Sequence, residues 1–220
     1  MRVVAFAFGL TVWSLFPNAP AVAGSDWQAW PSITVNHPLD DRFQVSAESQ
    51  LRFDEDISRL DVALIRLDVD ARLSGRTFAA LGYDHFRKAA AGTGSENRVW
   101  QQIQHGFSAG PFSLGNRLRI EERFIENTEG VAVRGRYRLR MDYPLADPAW
   151  HLVASNEVFL NLNSVEGGPS RGFDQNRLFG GFDLYFSHRF HVETGLQWRL
   201  EDGENDYVLM LGLTFNTKGR

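Results

Sequence analysis

Apolar and polar residues alternate through most of this chain, and this alternation constrains the fold more than any other feature of the sequence. Within residues 131–143, Val133 and Leu139 fall on one face of a strand, whereas Arg134 and Arg140 fall on the other. Successive side chains of a β-strand point to opposite faces, but a helix brings together residues three and four apart and would mix the two sets. The strongest alternating runs are 42–53, 131–143, 190–201 and 207–215. The pattern therefore predicts β-strands rather than helices.

Weaker alternating runs occupy most of the remaining chain, and short segments rich in Gly, Pro, Asn and Asp separate them. These runs are 26–36, 59–72, 76–87, 97–107, 112–125, 150–162 and 172–186. Segments such as 73–75, 109–111 and 201–204 have the composition of hairpin turns. Two longer polar stretches, 88–96 and 163–171, are separated by four strands, so we expect both at the same end. The sequence indicates one all-β meander without a domain boundary.

The alternation fits two kinds of barrel, which differ in the solvent that meets the apolar face. A lipocalin-like soluble barrel turns this face inward, whereas an outer-membrane barrel turns it outward to lipid. The runs are about 11–15 residues long, closer to the 9–11 residues of a membrane strand than to the 5–6 of a globular one. Aromatic residues recur near the ends of the runs, as an interfacial girdle requires: Trp27, Phe43, Phe53, Phe124, Tyr143, Trp150, Phe190 and Phe215. We interpret the chain as an antiparallel up-and-down transmembrane β-barrel of about 10–12 strands.

The sequence contains eleven alternating runs, which is an odd number. Bacterial barrels with both termini in the periplasm have an even number of strands. Run 26–36 contains Pro31, which has no backbone N–H for a ladder hydrogen bond. We therefore expect either ten strands, without this run, or twelve, with one more strand than the pattern reveals.

The first 23 residues have the features of a cleavable export signal. Arg2 is followed by an apolar segment up to Phe16, and residues 21–23 form a small-x-small cleavage site. The apolar segment is shorter than the roughly 20 residues of a membrane-spanning helix. We predict a signal peptide at 1–23 and a barrel domain at 24–220, located in the outer membrane of a Gram-negative bacterium. The expected partners are outer-membrane lipid, lipopolysaccharide and the outer-membrane assembly machinery, and the sequence does not define an oligomeric state.

Composition excludes several classes of function. The 220 residues contain no cysteine, so a disulfide scaffold, a thiolate zinc site and a cysteine nucleophile are ruled out. The formal net charge of −4 argues against a nucleic-acid-binding protein, which would carry a basic surface. No phosphate-binding loop, nucleophile elbow or calcium loop occurs in the sequence, and we predict neither a cofactor nor a bound metal.

The polar faces of the predicted strands carry charges of both signs near their midpoints. We expect these side chains to lie in the barrel lumen: Glu48, Arg52, Arg117, Arg119, Glu121, Arg123, Arg136, Arg138, Glu157, Arg177, Glu193 and Arg199. Unpaired charge in a narrow lumen is costly, so one interpretation is a network of ion pairs that fills the lumen and fixes the strand register. The other is a ladder that lines a path for small anions or sugars. We favour the structural interpretation.

The histidines offer little support for catalysis. His188 and His191 fall on opposite faces of a strand, so they are not a pair of metal ligands. His151 and Glu157 share one face but lie about 20 Å apart along a strand. His85 is predicted near the extracellular end of its strand, where a serine of another strand is a candidate partner. The leading hypothesis is a structural or narrow-pore barrel; the alternatives are an outer-membrane enzyme acting on lipid or lipopolysaccharide, and a soluble periplasmic binding barrel.

Several segments resemble the domain of unknown function 2490 family. Residues 114–124, LGNRLRIEERF, are similar to the central motif of this family, and the arginine-rich segment 133–140 is similar to its next element. Segments 156–159 and 175–181 match later elements, and the similarity extends over essentially the whole mature chain. The resemblance implies an exported outer-membrane β-barrel of a Gram-negative bacterium. It implies no activity.

Overall fold

The computed structural model describes residues 25–89 and 94–218, and eleven strands account for most of them. Each predicted run is a strand, and the strand ends agree with the predictions within three residues. The strands are β1 (Ser25–Pro38), β2 (Phe43–Asp54), β3 (Arg59–Ser74), β4 (Thr77–Lys88), β5 (Ser95–Ala109), β6 (Phe112–Ile125), β7 (Ala132–Pro144), β8 (Trp150–Asn161), β9 (Gly172–Ser187), β10 (Phe190–Glu201) and β11 (Glu204–Asn216). No described residue belongs to a helix long and apolar enough to cross a membrane.

The strands form one closed barrel in which each strand pairs with its neighbours in sequence. All of these ladders are antiparallel except the last, in which β1 runs parallel to β11, with Trp30 opposite Met210. This confirms the prediction of an all-β, up-and-down barrel. The expectation of an even strand number is wrong, because an odd number of alternating strands leaves the first and last pointing the same way.

Pro31, on which the ten-strand expectation rested, lies within β1 and is part of its ladder with β11. On one side β1 pairs continuously with β11, including Pro31 with Leu211. On the other side the ladder to β2 is interrupted at Trp30 and Pro31 and resumes at Ser32, in the same register. The missing N–H of the proline therefore interrupts one ladder over two residues without removing the strand from the barrel.

The connections divide the barrel into two ends. One end, called here the turn end, carries segments 39–42, 75–76, 110–111, 145–149 and 188–189; the other, the loop end, carries 55–58, 126–131, 162–171, 202–203 and the described residues 89 and 94. Of the two longer polar stretches, 163–171 and the described part of 88–96 lie together at the loop end, as predicted. Gly75 and Gly110 have φ of 46° and 61° in the tightest turns, a conformation that side-chain-bearing residues rarely adopt. An isolated bridge between Glu129 and Glu166 joins two connections at the loop end.

The apolar face of the strands points outward. Large apolar side chains around the middle of the barrel are about half exposed on this surface: Ile33, Ile65, Leu67, Leu81, Leu118, Tyr137 and Leu178. Aromatic side chains lie at both ends of the outer face, with Trp27 stacked on Tyr207 at the loop end and Phe190 stacked on Phe215 at the turn end. The soluble-barrel alternative required the opposite orientation, with the apolar face inward.

The opposite face of the strands encloses an interior filled by polar, charged and large aromatic side chains. Its largest fully buried residues are Trp30, Trp100, Phe159, Leu64, Glu121, Val153, Val208 and Asp84. Among them are two carboxylates, each with no exposed side-chain surface. Buried carboxylates are stable only when cations and hydrogen-bond donors surround them. The barrel interior is therefore the candidate location of a functional site.

Candidate functional site

Glu121 on β6 lies at the centre of the interior charge network. Its Oε2 accepts hydrogen bonds from Nε and Nη2 of Arg134, at 2.9 and 2.7 Å. Its Oε1 accepts one from Nη1 of Arg136, at 2.5 Å, and lies 3.8 Å from Nη1 of Arg119. The register of β6 and β7 places Glu121 directly opposite Arg134, so strand pairing itself brings the first pair together. Both oxygens of the carboxylate are satisfied by cationic donors.

Glu157 on β8 extends this network to a third strand. One oxygen, Oε1, accepts hydrogen bonds from Nη2 of Arg117 at 2.6 Å and from Nε of Arg136 at 2.9 Å. Arg136 consequently binds Glu121 through Nη1 and Glu157 through Nε and Nη2. Because its guanidinium group is planar and carries five N–H donors, one arginine joins carboxylates on the two flanking strands.

A second network lies across the barrel on β2 to β5. Nε and Nη2 of Arg66 donate to the two oxygens of Asp84, at 2.8 and 2.9 Å, and Nη1 reaches Glu48 at 3.2 Å. The indole nitrogen of Trp100 donates to Asp84 Oδ1 at 2.8 Å. This is the fork-to-fork geometry that makes arginine–carboxylate pairs specific in orientation.

Further ion pairs lie towards the two ends. At the loop end, Glu96 accepts from both Arg98 and Arg123, with the shortest contacts at 2.5 and 2.6 Å. At the same end, Arg199 pairs with Asp206. Towards the turn end, Arg140 contacts Asp142, Asp183 and Glu193. Cross-strand pairs of this kind connect most strands of the barrel.

Aromatic rings separate the guanidinium groups in the interior. Arg119 lies 3.6 Å from the centre of the Trp100 ring, and Arg98 lies 3.7 Å from that of Phe86. Arg136 and Arg177 both lie within 5 Å of the Phe159 ring, at 4.4 and 4.6 Å. These distances are in the range of cation–π attraction, which is stronger where water is excluded.

The structure places all twelve of the predicted interior charges on the inner face. Ion pairs include Glu48, Arg117, Arg119, Glu121, Arg123, Arg136, Glu157, Glu193 and Arg199. The other three, Arg52, Arg138 and Arg177, lie among them and line a common cavity, and no ion pair joins them to a carboxylate of the described residues.

The sequence prediction missed several interior residues that the network depends on: Trp30, Arg66, Asp84, Glu96, Arg98, Trp100 and Asp174. Arg134 and Arg140 had already been placed by the alternation on the polar face of their strand. Asp84 and Arg98 fall on weaker runs, where the alternation alone did not single them out. The two tryptophans could not be assigned inward without the register of their strands.

The histidines do not form a serine–histidine cluster among the described residues. His85 lies on the outer face, where its Nδ1 is 2.8 Å from Oδ1 of Asn97, and Tyr83 donates to the same oxygen at 2.5 Å. His105 and His37 contact threonine hydroxyls, of Thr77 and Thr217 respectively. In residues 25–89 and 94–218, no group of three or more His, Asp or Glu side chains is placed to hold a metal ion.

A protein-family model matches most of the chain. The family described as "Protein of unknown function (DUF2490)" matches residues 27–208, from the first aromatic of β1 into β11. The chain belongs to the DUF2490 family. The match confirms the resemblance found in the sequence, including the β6 and β7 segments that supply Glu121, Arg134 and Arg136. DUF2490 carries no assigned activity, and no curated protein matches the chain.

Two solved structures similar to this DUF2490 barrel are outer-membrane proteins of Vibrio cholerae. One is the outer-membrane-expressed OmpT, with 19% sequence identity and a TM-score of 0.43 over 73% of this chain and 51% of OmpT. The other is an OmpT mutant lacking loop L8, with 19% identity and a TM-score of 0.42 over 73% of this chain and 54% of the mutant. The DUF2490 chain thus spans about half the length of these proteins.

Proposed function

We propose that this DUF2490 protein is an integral β-barrel of the bacterial outer membrane whose lumen is closed by its own side chains. The observation that carries the proposal is the inversion of the usual pattern, with apolar residues outside and charged residues inside. A barrel in water would expose the apolar belt, and contiguous apolar surface of this extent on a monomer marks a contact with lipid or protein. A belt that encircles the barrel fits lipid.

The height of the belt supports a membrane-spanning arrangement. Phe112 and Phe124 mark the two ends of the outer face of β6, about 40 Å apart along the strand at about 3.3 Å per residue. At a tilt of about 40°, this becomes about 30 Å along the barrel axis. Such a height covers the apolar band of an outer-membrane barrel, about 25 Å, with the aromatic rings near its borders.

The polar groups on the outer face are consistent with lipid contact where they pair with one another. Nε2 of Gln101 donates to Oε2 of Glu122 at 3.1 Å near the loop end of the barrel. A polar group that faces hydrocarbon needs such a partner, because no water is present to replace it.

By analogy with barrels whose longer loops are extracellular and whose short turns are periplasmic, we assign the loop end to the outside of the cell.

The interior supports a closed barrel rather than an open channel. Trp30, Trp100 and Phe159 are at most 2% exposed, so they are packed within the lumen rather than lining a wide aqueous path. Ion pairs between strands occupy the space around them. We assign the network a structural role, which is to fill the lumen and to fix the register of the strands.

Fractionation of cells that express the full chain tests the location. We expect the protein in the outer-membrane fraction, resistant to extraction without detergent, with a folded band on unheated gels that migrates differently after boiling. Cleavage after residue 23 would be seen by N-terminal sequencing; that segment lies outside the described residues. Recovery of the folded protein from the soluble periplasm without detergent would contradict the proposal.

Planar-bilayer recordings test the closure of the lumen. We expect the wild-type barrel to insert without resolved channel openings. Substitution of two rings that fill the lumen, Trp30→Ala with Phe159→Ala, should produce conductance if the variant inserts, because the space left is bordered by charged groups and fills with water. Stable wild-type openings of porin size would overturn the closed-barrel proposal.

A further inference from the structure

Three interior arginines lack the carboxylate partners that the others have. No carboxylate oxygen of the described residues lies within 4.0 Å of a guanidinium nitrogen of Arg52, Arg138 or Arg177, whereas Arg66, Arg98, Arg117 and Arg134 to either side of them are ion-paired. Arg52 and Arg177 each donate through Nε to a glutamine oxygen, at 2.9 and 2.7 Å. These neutral acceptors orient the guanidinium groups but add no negative charge at hydrogen-bonding distance.

Arg52 and Arg177 are also held against the same aromatic ring. Their guanidinium carbons lie 4.1 and 4.9 Å from the centre of Trp30, a residue that is 2% exposed. Two like charges are thus brought towards one buried indole. The ring offsets part of the desolvation cost of each cation, but it supplies no negative charge between them.

The three unpaired arginines border one cavity of about 170 Å³ in the middle of the barrel. Among the described residues, nine arginines line this space, and the other six are ion-paired. One of the six, Arg117, has a buried Nε without a hydrogen-bond partner. The cavity therefore combines three cations that lack an ion-pair partner with at least one unused N–H donor.

Buried cations without an ion-pair partner lower the stability of the barrel. A buried charge without a partner is costly, and like charges close together add to this cost. A chain that needed only a filled lumen would be stabler with an apolar or neutral residue at these positions. Groups of this kind are expected where a protein gives up stability for a binding function.

A small multivalent oxyanion would satisfy all of these groups at once. Guanidinium groups bind phosphate-like oxyanions through paired N–H···O bonds, and such charge-assisted bonds are the strongest available here. We propose that the mid-lumen cavity bordered by Arg52, Arg138 and Arg177 binds a small dianionic oxyanion of the phosphate class, free or carried on a small molecule. This binding role goes beyond the closed-barrel proposal and does not depend on membrane location.

Two further cavities lie beside the mid-lumen cavity. A cavity of about 250 Å³ shares Arg117, Arg138 and Arg140 with the mid-lumen cavity. It also shares Gln104 with a cavity of about 360 Å³ that is bordered by His188 and other residues of the turn end. Both cavities lie on the turn-end side of the mid-lumen cavity.

Calorimetry and thermal unfolding of the purified full-length mature barrel, folded in detergent, test the proposal with inorganic phosphate as the probe. We expect saturable binding, and an unfolding temperature that rises with phosphate more than with chloride at equal ionic strength. No saturable phosphate binding, or an equal rise with chloride, would overturn the proposal. Loss of membrane insertion would not affect this measurement, so the two proposals fail separately.

Variants locate the site. Arg138→Gln should weaken phosphate binding at least about tenfold and should raise the unfolding temperature of the phosphate-free barrel, because it removes an unpaired buried cation. Arg177→Gln is the second test, should the first variant not fold. The matched control is Arg123→Gln, since Arg123 faces the lumen and is paired with Glu96 outside the cavity. It should lower stability and leave phosphate affinity unchanged; equal losses of affinity in Arg123→Gln and the site variants would contradict the assignment.

Discussion

The indole of Trp100 lies directly against the backbone of Gly82 on the neighbouring strand. A Cβ atom added to Gly82 would stand 2.0 Å from Cζ2 of the ring and 2.3 Å from Cε2. The ring is 1% exposed and its Nε1 is fixed by Asp84, so it has no free space to enter. Gly82 is therefore required by a close approach inside the barrel.

Gly82→Ala should accordingly destabilise the barrel by about 1–3 kcal/mol, the usual cost of overpacking. Chemical unfolding in detergent or lipid vesicles measures the change. Gly115→Ala is the matched control, because Gly115 also lies within a strand and a Cβ there meets nothing within 4 Å. It should change stability by no more than about 0.5 kcal/mol, and equal effects of the two substitutions would contradict the packing described.

Glu121→Ala should destabilise the barrel by about 3–5 kcal/mol, because it leaves the buried Arg134 and Arg136 without the carboxylate that binds both. The control is Glu204→Ala, an exposed glutamate at the start of β11 beside the loop-end turn, which should cost less than about 1 kcal/mol. Unfolding midpoints and gel migration before and after heating measure both variants. Unchanged heat-modifiable migration and stability in Glu121→Ala would argue against a structural role of the network.

Trp30 and Trp27 are on opposite faces of β1 and test whether this strand belongs to the barrel. Trp30→Ala should cost about 3–5 kcal/mol, the range for a large buried ring. Trp27 is 43% exposed and stacks on Tyr207, so Trp27→Ala should cost only about 0.5–1.5 kcal/mol. If β1 were not part of the closed barrel, the two substitutions would have similar, small effects.

Leu118 and Leu73 distinguish a lipid-facing belt from a water-facing one. Both side chains are 50% exposed on the outer face, but Leu118 lies near the middle of β6 and Leu73 lies at the end of β3. In lipid vesicles, Leu118→Arg should cost about 2–4 kcal/mol and Leu73→Arg about 0–1 kcal/mol. Equal and negligible costs in both positions would be the result expected of a water-facing surface.

Asp40 stabilises the first turn of the barrel in a pH-dependent way. Its Oδ1 accepts hydrogen bonds from the backbone N–H groups of Phe43 and Arg42, at 2.6 and 2.7 Å, and these bonds hold the pKa of the carboxyl below its ordinary value. The contribution is therefore present above about pH 4 and is lost as the pH falls through the lowered pKa. Wild type should exceed Asp40→Ala in stability at neutral pH and converge with it in acid; Asp41→Ala serves as the control.

The positions of the strands could be predicted from the sequence because alternation is a local signal. Residues 112–125 and 190–201 were predicted as strands with the bounds that the structure gives. The exact number of strands was not predicted, because Pro31 made β1 look unable to pair. In the structure Pro31 interrupts only the ladder to β2, and the ladder to β11 keeps β1 in the barrel. That Arg136 joins Glu121 to Glu157 could not be predicted either. The pairing depends on the register of three strands, and register is a non-local property.

The parallel ladder between β1 and β11 has a consequence for assembly. Every other ladder joins strands adjacent in sequence, whereas this one joins residues 180 positions apart, such as Asn36 and Asn216, whose side chains are hydrogen-bonded at 3.0 Å. If such a contact formed before the rest of the barrel, it would close a long loop of unfolded chain, and the entropy cost of that closure would be large. A parallel ladder is also slightly weaker per residue than an antiparallel one. We therefore expect this seam to close last when the barrel folds.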